Sequence, residues 1–286
     1  MPMGIRSLVG FSMRLYRGSF LYPRLGRSLA RLMSYGVRLR GAAPVVRTVG
    51  GITYELDLRE VIDSSLFFSG TFEAQAEQVI ERALQPGMIA VDVGANIGYH
   101  TFRMARAVGP DGCVLAIEPT AWAFRKLQRN AALNPYGNIR FLKVGLTDRD
   151  QGPTAVTFTS SYRLDGSVKQ ELETVPLVRL DTLVREQGLS RVDFIKVDVD
   201  GHEGKVFSGA AETLERFRPI LFFELSPSAM RECGDDFREL LSRLGKLDYR
   251  FASEAGEPLA DIAASCERIA DGYSANFLAL PTVRMG

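Results

Sequence analysis

The stretch Val91-Asp92-Val93-Gly94-Ala95-Asn96-Ile97-Gly98-Tyr99 has the residue types to hold a small ligand. It follows an apolar run and opens a helical pattern. Glycines let a backbone approach a ligand closely, and a helix start presents free N–H groups. A second apolar run ends in Glu118, 20 residues after Gly98, and an acid so spaced can accept hydrogen bonds from ribose hydroxyls. A dinucleotide loop needs Gly-x-Gly-x-x-Gly, but Asn96 and Tyr99 stand where its second and third glycines belong. Asp92 beside the loop would repel a pyrophosphate and suits a cationic ligand. No Gly-Lys-Ser/Thr is present to make a phosphate loop of the Walker type. S-adenosylmethionine, which carries a sulfonium, an ammonium and a ribose, meets these conditions. The competing reading is an ordinary strand-to-helix turn with a helix-packing glycine. The candidate cofactor set is Asp92, Gly94, Ala95, Asn96, Gly98 and Glu118, with Leu146 and Thr147 added from the segment after the third strand.

A second constellation lies in Ile195-Lys196-Val197-Asp198-Val199-Asp200-Gly201-His202-Glu203. Strand alternation puts Lys196 and Asp198 on one face, near the carboxyl end. Open α/β sheets bind ligands at that end. Glu224 closes the next apolar run. The candidate catalytic residues are Asp198, Lys196, Glu224 and His202, with Asp198 as base or acceptor-positioning group. The plain alternative for Lys196 is a structural ion pair with Asp198 or Asp200. Glu203 suits the first turn of the following helix, where an acid complements the dipole. His100 and His202, the two histidines, read as polar rim residues or as bases. Two acids and a histidine from separate loops make a poor metal set, and no metal is expected.

These residues need a framework that brings strand ends together. From Met88 onward short apolar runs (88–93, 113–117, 139–144, 192–197 and 220–223) alternate with helical patterns at 98–108, 122–133 and 210–217. That alternation predicts a parallel sheet with helices on both faces. Segments 154–159 and 174–178 predict an inserted hairpin, and 275–280 a last strand. Upstream, 45–58 reads as a hairpin around Gly50-Gly51, and 72–84 as a helix ended by Gln85-Pro86-Gly87.

The chain has 286 residues, 46% of them apolar and 24% charged, the composition of a globular protein. No apolar run is long enough for a spanning helix. The three cysteines form no CxxC pair, so neither a zinc site nor a disulfide framework is expected, and the chain reads as cytoplasmic. Residues 1–54 hold nine arginines, no lysine and no acid, which leaves −8 for the rest of a chain of net charge +1. Within this basic arm Ile5, Leu8, Phe11 and Leu15 fall opposite Arg6, Arg14 and Arg17. After Pro23, Leu25, Leu29, Leu32 and Met33 fall opposite Arg24, Arg27, Arg31 and Arg38. Residues 1–44 therefore read as a basic amphipathic extension. Its apolar stripe either packs on the body or, through residues 1–41, lies on an anionic membrane surface; amphipathicity alone does not separate the two. Spread arginines and no clean apolar core disfavour a signal peptide.

The glycine loop resembles the first motif of class I S-adenosylmethionine-dependent methyltransferases, and the chain is most similar to the FkbM family. Further matches occur in order: Gly70-Thr71-Phe72-Glu73, Glu118-Pro119, Leu180-Asp181-Thr182-Leu183, the segment 195–203, and Phe222-Phe223-Glu224. Where the family commonly has Glu, this chain has Asp200. The resemblance implies one Rossmann-like methyltransferase domain over 45–286, with a mostly parallel seven-stranded sheet whose final strand is antiparallel. It further implies methyl transfer to a hydroxyl of a sugar, glycolipid or natural product. A nucleic-acid methyltransferase would use the arm on phosphates. Enzymes that methylate base amines place Asn/Asp-Pro-Pro-Tyr after the fourth strand, where this chain has Asp198-Val199-Asp200-Gly201. A nucleic-acid partner is therefore not expected. A non-catalytic cofactor-binding module is the remaining alternative.

Overall fold

A computed structural model describes residues 43–282. The amphipathic extension lies outside the described residues except for Ala43 and Pro44. Twelve strands are β1 (Val45–Val49), β2 (Ile52–Leu56), β3 (Ile89–Val93), β4 (Cys113–Ile117), β5 (Ile139–Leu142), β6 (Gly145–Leu146), β7 (Gln151–Tyr162), β8 (Val168–Val178), β9 (Phe194–Val197), β10 (Ile220–Leu225), β11 (Tyr249–Ser253) and β12 (Ala275–Pro281). The helices are α1 (Val61–Ser69), α2 (Ala74–Ala83), α3 (Tyr99–Val108), α4 (Ala121–Ala132), α5 (Leu180–Glu186), α6 (Glu203–Ser208), α7 (Ala211–Phe217), α8 (Pro227–Glu232), α9 (Phe237–Lys246) and α10 (Ile262–Glu267).

The described chain divides into two compact units. The smaller takes the residues up to Ala74, Gln128–Pro135 and Thr157–Leu172. Its β1–β2 hairpin pairs antiparallel from Val45↔Leu56 to Val49↔Ile52, as the Gly50-Gly51 turn predicts. Asn130 and Asn134 accept from the backbone N–H groups of Glu55 and Thr53 at 2.8 and 2.9 Å, which satisfies one edge of the hairpin.

The larger unit holds a seven-stranded sheet in the order β11-β12-β10-β9-β3-β4-β5. β10, β9, β3, β4 and β5 run parallel, and β12 runs antiparallel to both of its neighbours. This is the doubly wound Rossmann-like arrangement expected, antiparallel strand included. Period-2 alternation splits the strand residues between two cores. Val91, Leu115, Ile195, Leu221 and Phe223 join Leu183, Phe207 and Leu244 from α5, α6 and α9. On the other face Ala90, Val114, Phe194 and Phe222 pack with Ile80 of α2 and with Met104 and Val108 of α3. Helices thus cover both faces, and the central strands read as nearly unbroken apolar runs for that reason.

β6, β7 and β8 form a separate three-stranded sheet in the order β6-β8-β7. The inserted hairpin is longer than the sequence pattern suggests, because β7 and β8 continue through polar residues that alternate in exposure. The helices α1, α5, α8, α9 and α10 and the strands β6 and β11 have no counterpart in the sequence pattern. Among the described residues, no helix is long and apolar enough to cross a membrane.

Candidate active site

The register of the parallel strands determines what meets at their carboxyl ends. Asp92 pairs with Lys196 across β3 and β9, and Lys196 with Phe222 across β9 and β10. Two residues further along each strand, on the same face, stand Gly94, Asp198 and Glu224. Glu118 follows β4 at the same level, with its N–H on Leu142 O at 3.1 Å. One row of strand ends therefore carries Glu118, Gly94, Asp198 and Glu224, on the face that α2 and α3 cover.

The glycine loop begins with the N–H groups of Gly94 and Ala95 both donating to Ile117 O, each at 3.0 Å. Gly94 has φ +79°, and a Cβ there would lie 1.9 Å from the backbone oxygen of Asp198. Only glycine lets β3 pass the end of β9 at this distance. Gly98 has φ +92°, and its Cβ would strike Phe102 and Leu127. Helix packing thus accounts for Gly98, in line with the plain reading of that glycine. Asn96 is left-handed at φ 48°, a conformation asparagine tolerates better than most residues.

Glu118 anchors this loop from below. Its Oε2 accepts from Asn96 N–H at 2.9 Å, and its Oε1 accepts from the N–H and hydroxyl of Thr120 at 2.9 and 2.6 Å. Burial pushes the carboxyl above the ordinary glutamate range, and the donors of Thr120 and Asn96 oppose that push. Ala121 N–H, at the start of α4, donates to Glu173 Oε1 at 2.7 Å; Glu173 also pairs with Lys143 at 3.1 Å. Thr120 and Glu173 were not among the candidate residues. Thr120 was open to inference, being a hydroxyl two residues past a carboxylate. Glu173 lies 52 residues from Ala121 and left no local signal.

The second constellation is a buried chain of charges. Thr101 of α3 donates to Asp92 Oδ2 at 2.6 Å. Asp92 Oδ1 lies 3.5 Å from Lys196 Nζ, and Lys196 Nζ lies 3.2 Å from Asp198 Oδ2 and 3.4 Å from Gly94 O. Side-chain exposure rises along the chain from 0% at Asp92 through 4% at Lys196 to 39% at Asp198. Beside the loop, the Asp92 charge is expected from sequence to face a cationic ligand. The structure instead buries that charge and balances it with Lys196, so Asp92 acts beneath the loop. Lys196 pairs with Asp198, in line with the ion-pair alternative, and also with Asp92.

Of the remaining candidates, Glu224 keeps its place in the row of strand ends, and the others lie elsewhere. Glu224 accepts from Ser274 hydroxyl at 2.6 Å. His202 turns toward α8, with Nε2 at 3.7 Å from Cys233 Sγ. Burial and the Lys205 charge lower its pKa, against Asp235. The cause is local: Asp200 and Gly201 are both left-handed, at φ 51° and 99°. A Cβ on Gly201 would lie 2.7 Å from the Ala229 backbone, so the chain leaves the sheet edge pressed against α8. This removes His202 from the group around Asp198. His100 is buried, not a rim residue, and its ring meets Tyr99 edge-on at 4.7 Å. Leu146 pairs with Val178 of β8, Thr147 N–H donates to Val178 O at 3.0 Å, and Gly209 packs on the Thr147 carbonyl. No group of three or more metal-ligating side chains occurs among the described residues.

The donor set suits S-adenosylmethionine. Asn96 Oδ1 is buried in the loop with no hydrogen-bond partner among the described residues. The residues that would hold the nucleoside are Asn96, Glu118 and the loop backbone of Gly94 and Ala95.

The chain is similar to known proteins over this region. The family model described as methyltransferase FkbM domain matches residues 92–251. Methyltransferase sdnD of Sordaria araneosa is 31% identical over 180 residues, 49% of this chain and 68% of that protein. The 2-O-methyltransferase NoeI of Sinorhizobium fredii is 25% identical over 189 residues, 58% of this chain and 75% of that protein. Hexuronic acid methyltransferase AglP of Haloferax volcanii is 25% identical over 197 residues, 66% of this chain and 78% of that protein.

Proposed function

The chain belongs to the FkbM family of S-adenosylmethionine-dependent methyltransferases, and from that premise we propose that it methylates a hydroxyl group of a sugar-containing or natural-product acceptor. The observation that carries the choice of hydroxyl is the half-exposed carboxylate of Asp198 at the end of a buried charge chain. When bound, S-adenosylmethionine supplies a methyl group activated by sulfonium. The protein's part is then mainly positioning, at a reach of about 3–3.5 Å between reacting atoms. An alcohol oxygen that gains a methyl group loses its proton, and a carboxylate within hydrogen-bond reach takes it. Asp198 is that carboxylate. Lys196 fixes its orientation and is itself held by Asp92, while Glu224 stands beside it on the next strand. Asn96 and Glu118 hold the nucleoside. The names of two relatives support this reading: a 2-O-methyltransferase speaks for an oxygen acceptor, and a hexuronic acid methyltransferase for a sugar.

The test uses methyl-labelled S-adenosylmethionine with an extract of a strain deleted for this gene, where unmethylated acceptor accumulates. Label should enter a carbohydrate or small-molecule fraction as an ether, and the product should be heavier than its precursor by one methyl group. Label entering nucleic acid, or an amine, would refute the hydroxyl reading.

A further inference from the structure

Glu203 is 1% exposed, carries a carboxyl, and has no part in the chemistry above. Its Oε1 accepts from the N–H groups of Val199 and Gly201, both at 3.2 Å. Those two groups lie inside the turn that leaves β9, where Asp200 and Gly201 adopt consecutive left-handed conformations. Such a turn is strained at a non-glycine residue and needs outside support to persist. The support has two sides. The backbone of Ala229 presses on Gly201 from α8. Glu203 ties the N–H groups from within.

Asp198 sits directly before this turn. Its N–H donates to Val93 O at 3.1 Å, and its carbonyl oxygen occupies the space that a Cβ on Gly94 would need. The start of Asp198 is thus fixed by β3, and its exit by the turn that Glu203 holds. We propose that Glu203 is a positioning residue, which clamps the 199–201 turn through Oε1 and so holds Asp198 at the acceptor end of the site. The consequence for turnover rests on the reading of Asp198 given above; the clamp itself does not. Burial, then the charge of Asp198, push the Glu203 carboxyl up to about 7 against three backbone N–H groups. A buried acid held at this electrostatic disadvantage suits a group kept for its acceptor geometry.

Two variants separate acceptor from bulk and charge. Glu203→Met fills the volume without the acceptor, and Glu203→Gln keeps an acceptor oxygen without the charge. The first readout is amide hydrogen exchange of Val199 and Gly201 in the full chain. Glu203→Met should speed both by about tenfold or more, while Glu203→Gln stays within a few-fold of the parent. The second is label transfer from S-adenosylmethionine into the deletion-strain extract, at saturating S-adenosylmethionine. Glu203→Met should lose about 10²-fold in rate with calorimetric affinity for S-adenosylmethionine within a few-fold, and Glu203→Gln should restore most of the loss. Unchanged exchange in Glu203→Met overturns the clamp. So does a Glu203→Gln protein of parental melting temperature that exchanges and reacts as poorly as Glu203→Met. Should Glu203→Met fail to fold, Glu203→Gln decides against the parent: a protein of parental melting temperature that exchanges Val199 and Gly201 about tenfold or more faster overturns the clamp, and exchange within a few-fold upholds it. Faster exchange in Glu203→Met together with normal transfer by Asp198→Asn would uphold the clamp and discard the role of Asp198.

Discussion

Replacing Glu203 by glutamine should change how stability depends on pH, in a direction the structure determines. The carboxyl is buried among Val199, Gly201 and the first turn of α6, and its pKa rises from 4.5 to about 7. The folded chain therefore keeps this proton to about pH 7, whereas the unfolded chain releases it near 4.5. A raised folded pKa gives stability that is full below the unfolded value and is lost as the pH rises through the folded value. Each pKa unit corresponds to about 1.4 kcal/mol, so the parent should lose about 2–3 kcal/mol relative to Glu203→Gln between about pH 5 and about pH 8. Glutamine keeps the acceptor and does not titrate. All other groups titrate alike in the two proteins and cancel in the difference. Urea unfolding of both proteins across this range measures it. A difference that stays constant with pH would show that the carboxyl is either already ionised throughout or reaches solvent in the fold, and would refute the burial argument.

Three further outcomes follow from the same geometry. Glu118→Ala should weaken calorimetric affinity for S-adenosylmethionine by about 1.5–3 kcal/mol for each ribose hydrogen bond lost; unaltered affinity would remove Glu118 from the nucleoside site. Asp92→Asn should destabilise the protein by about 1–3 kcal/mol in urea unfolding, because Lys196 loses its fully buried partner and keeps only the half-exposed Asp198. Gly94→Ala should cost about 3 kcal/mol or more, from a left-handed alanine whose Cβ meets the Asp198 carbonyl, and label transfer should fall with it; a parental unfolding midpoint would contradict the close approach of β3 and β9.

The central strands and the two glycine-bearing turns were readable because their signals are local. Cys113–Ile117 is a continuous apolar run between turn residues, and Gly50-Gly51 marks its hairpin without outside help. α1 left no such signal, since Asp63, Ser64 and Ser65 are buried within it and disrupt the apolar stripe. Asp63 accepts from Asp57 N–H at 2.6 Å, a contact that turns a polar residue inward for reasons the sequence does not display. β11 is a five-residue edge strand whose alternation is broken by the burial of Ala252, and its pairing with β12 spans a long separation. α9 does carry a helical period in Phe237, Leu240, Leu241 and Leu244, after an Asp236 cap. At the site, strand alternation sufficed to place Lys196 beside Asp198. It did not reveal that Asp92 shares Lys196, because that contact depends on the parallel register of β3 and β9. Nor did it reveal that His202 turns away, which follows from two left-handed residues and the backbone of α8.

The most direct test of the account is Asp198→Asn, measured for melting temperature, affinity for S-adenosylmethionine, and label transfer into the deletion-strain extract. Lys196 keeps Asp92 as a buried partner at 3.5 Å when the Asp198 charge is removed. The half-exposed pair that is lost is worth at most about 1 kcal/mol, so the melting temperature should barely move. Affinity for S-adenosylmethionine should stay within a few-fold, and transfer should fall by about 10²–10⁴. A stable Asp198→Asn protein that transfers label at nearly the parental rate would contradict the claim that this carboxylate serves the chemical step.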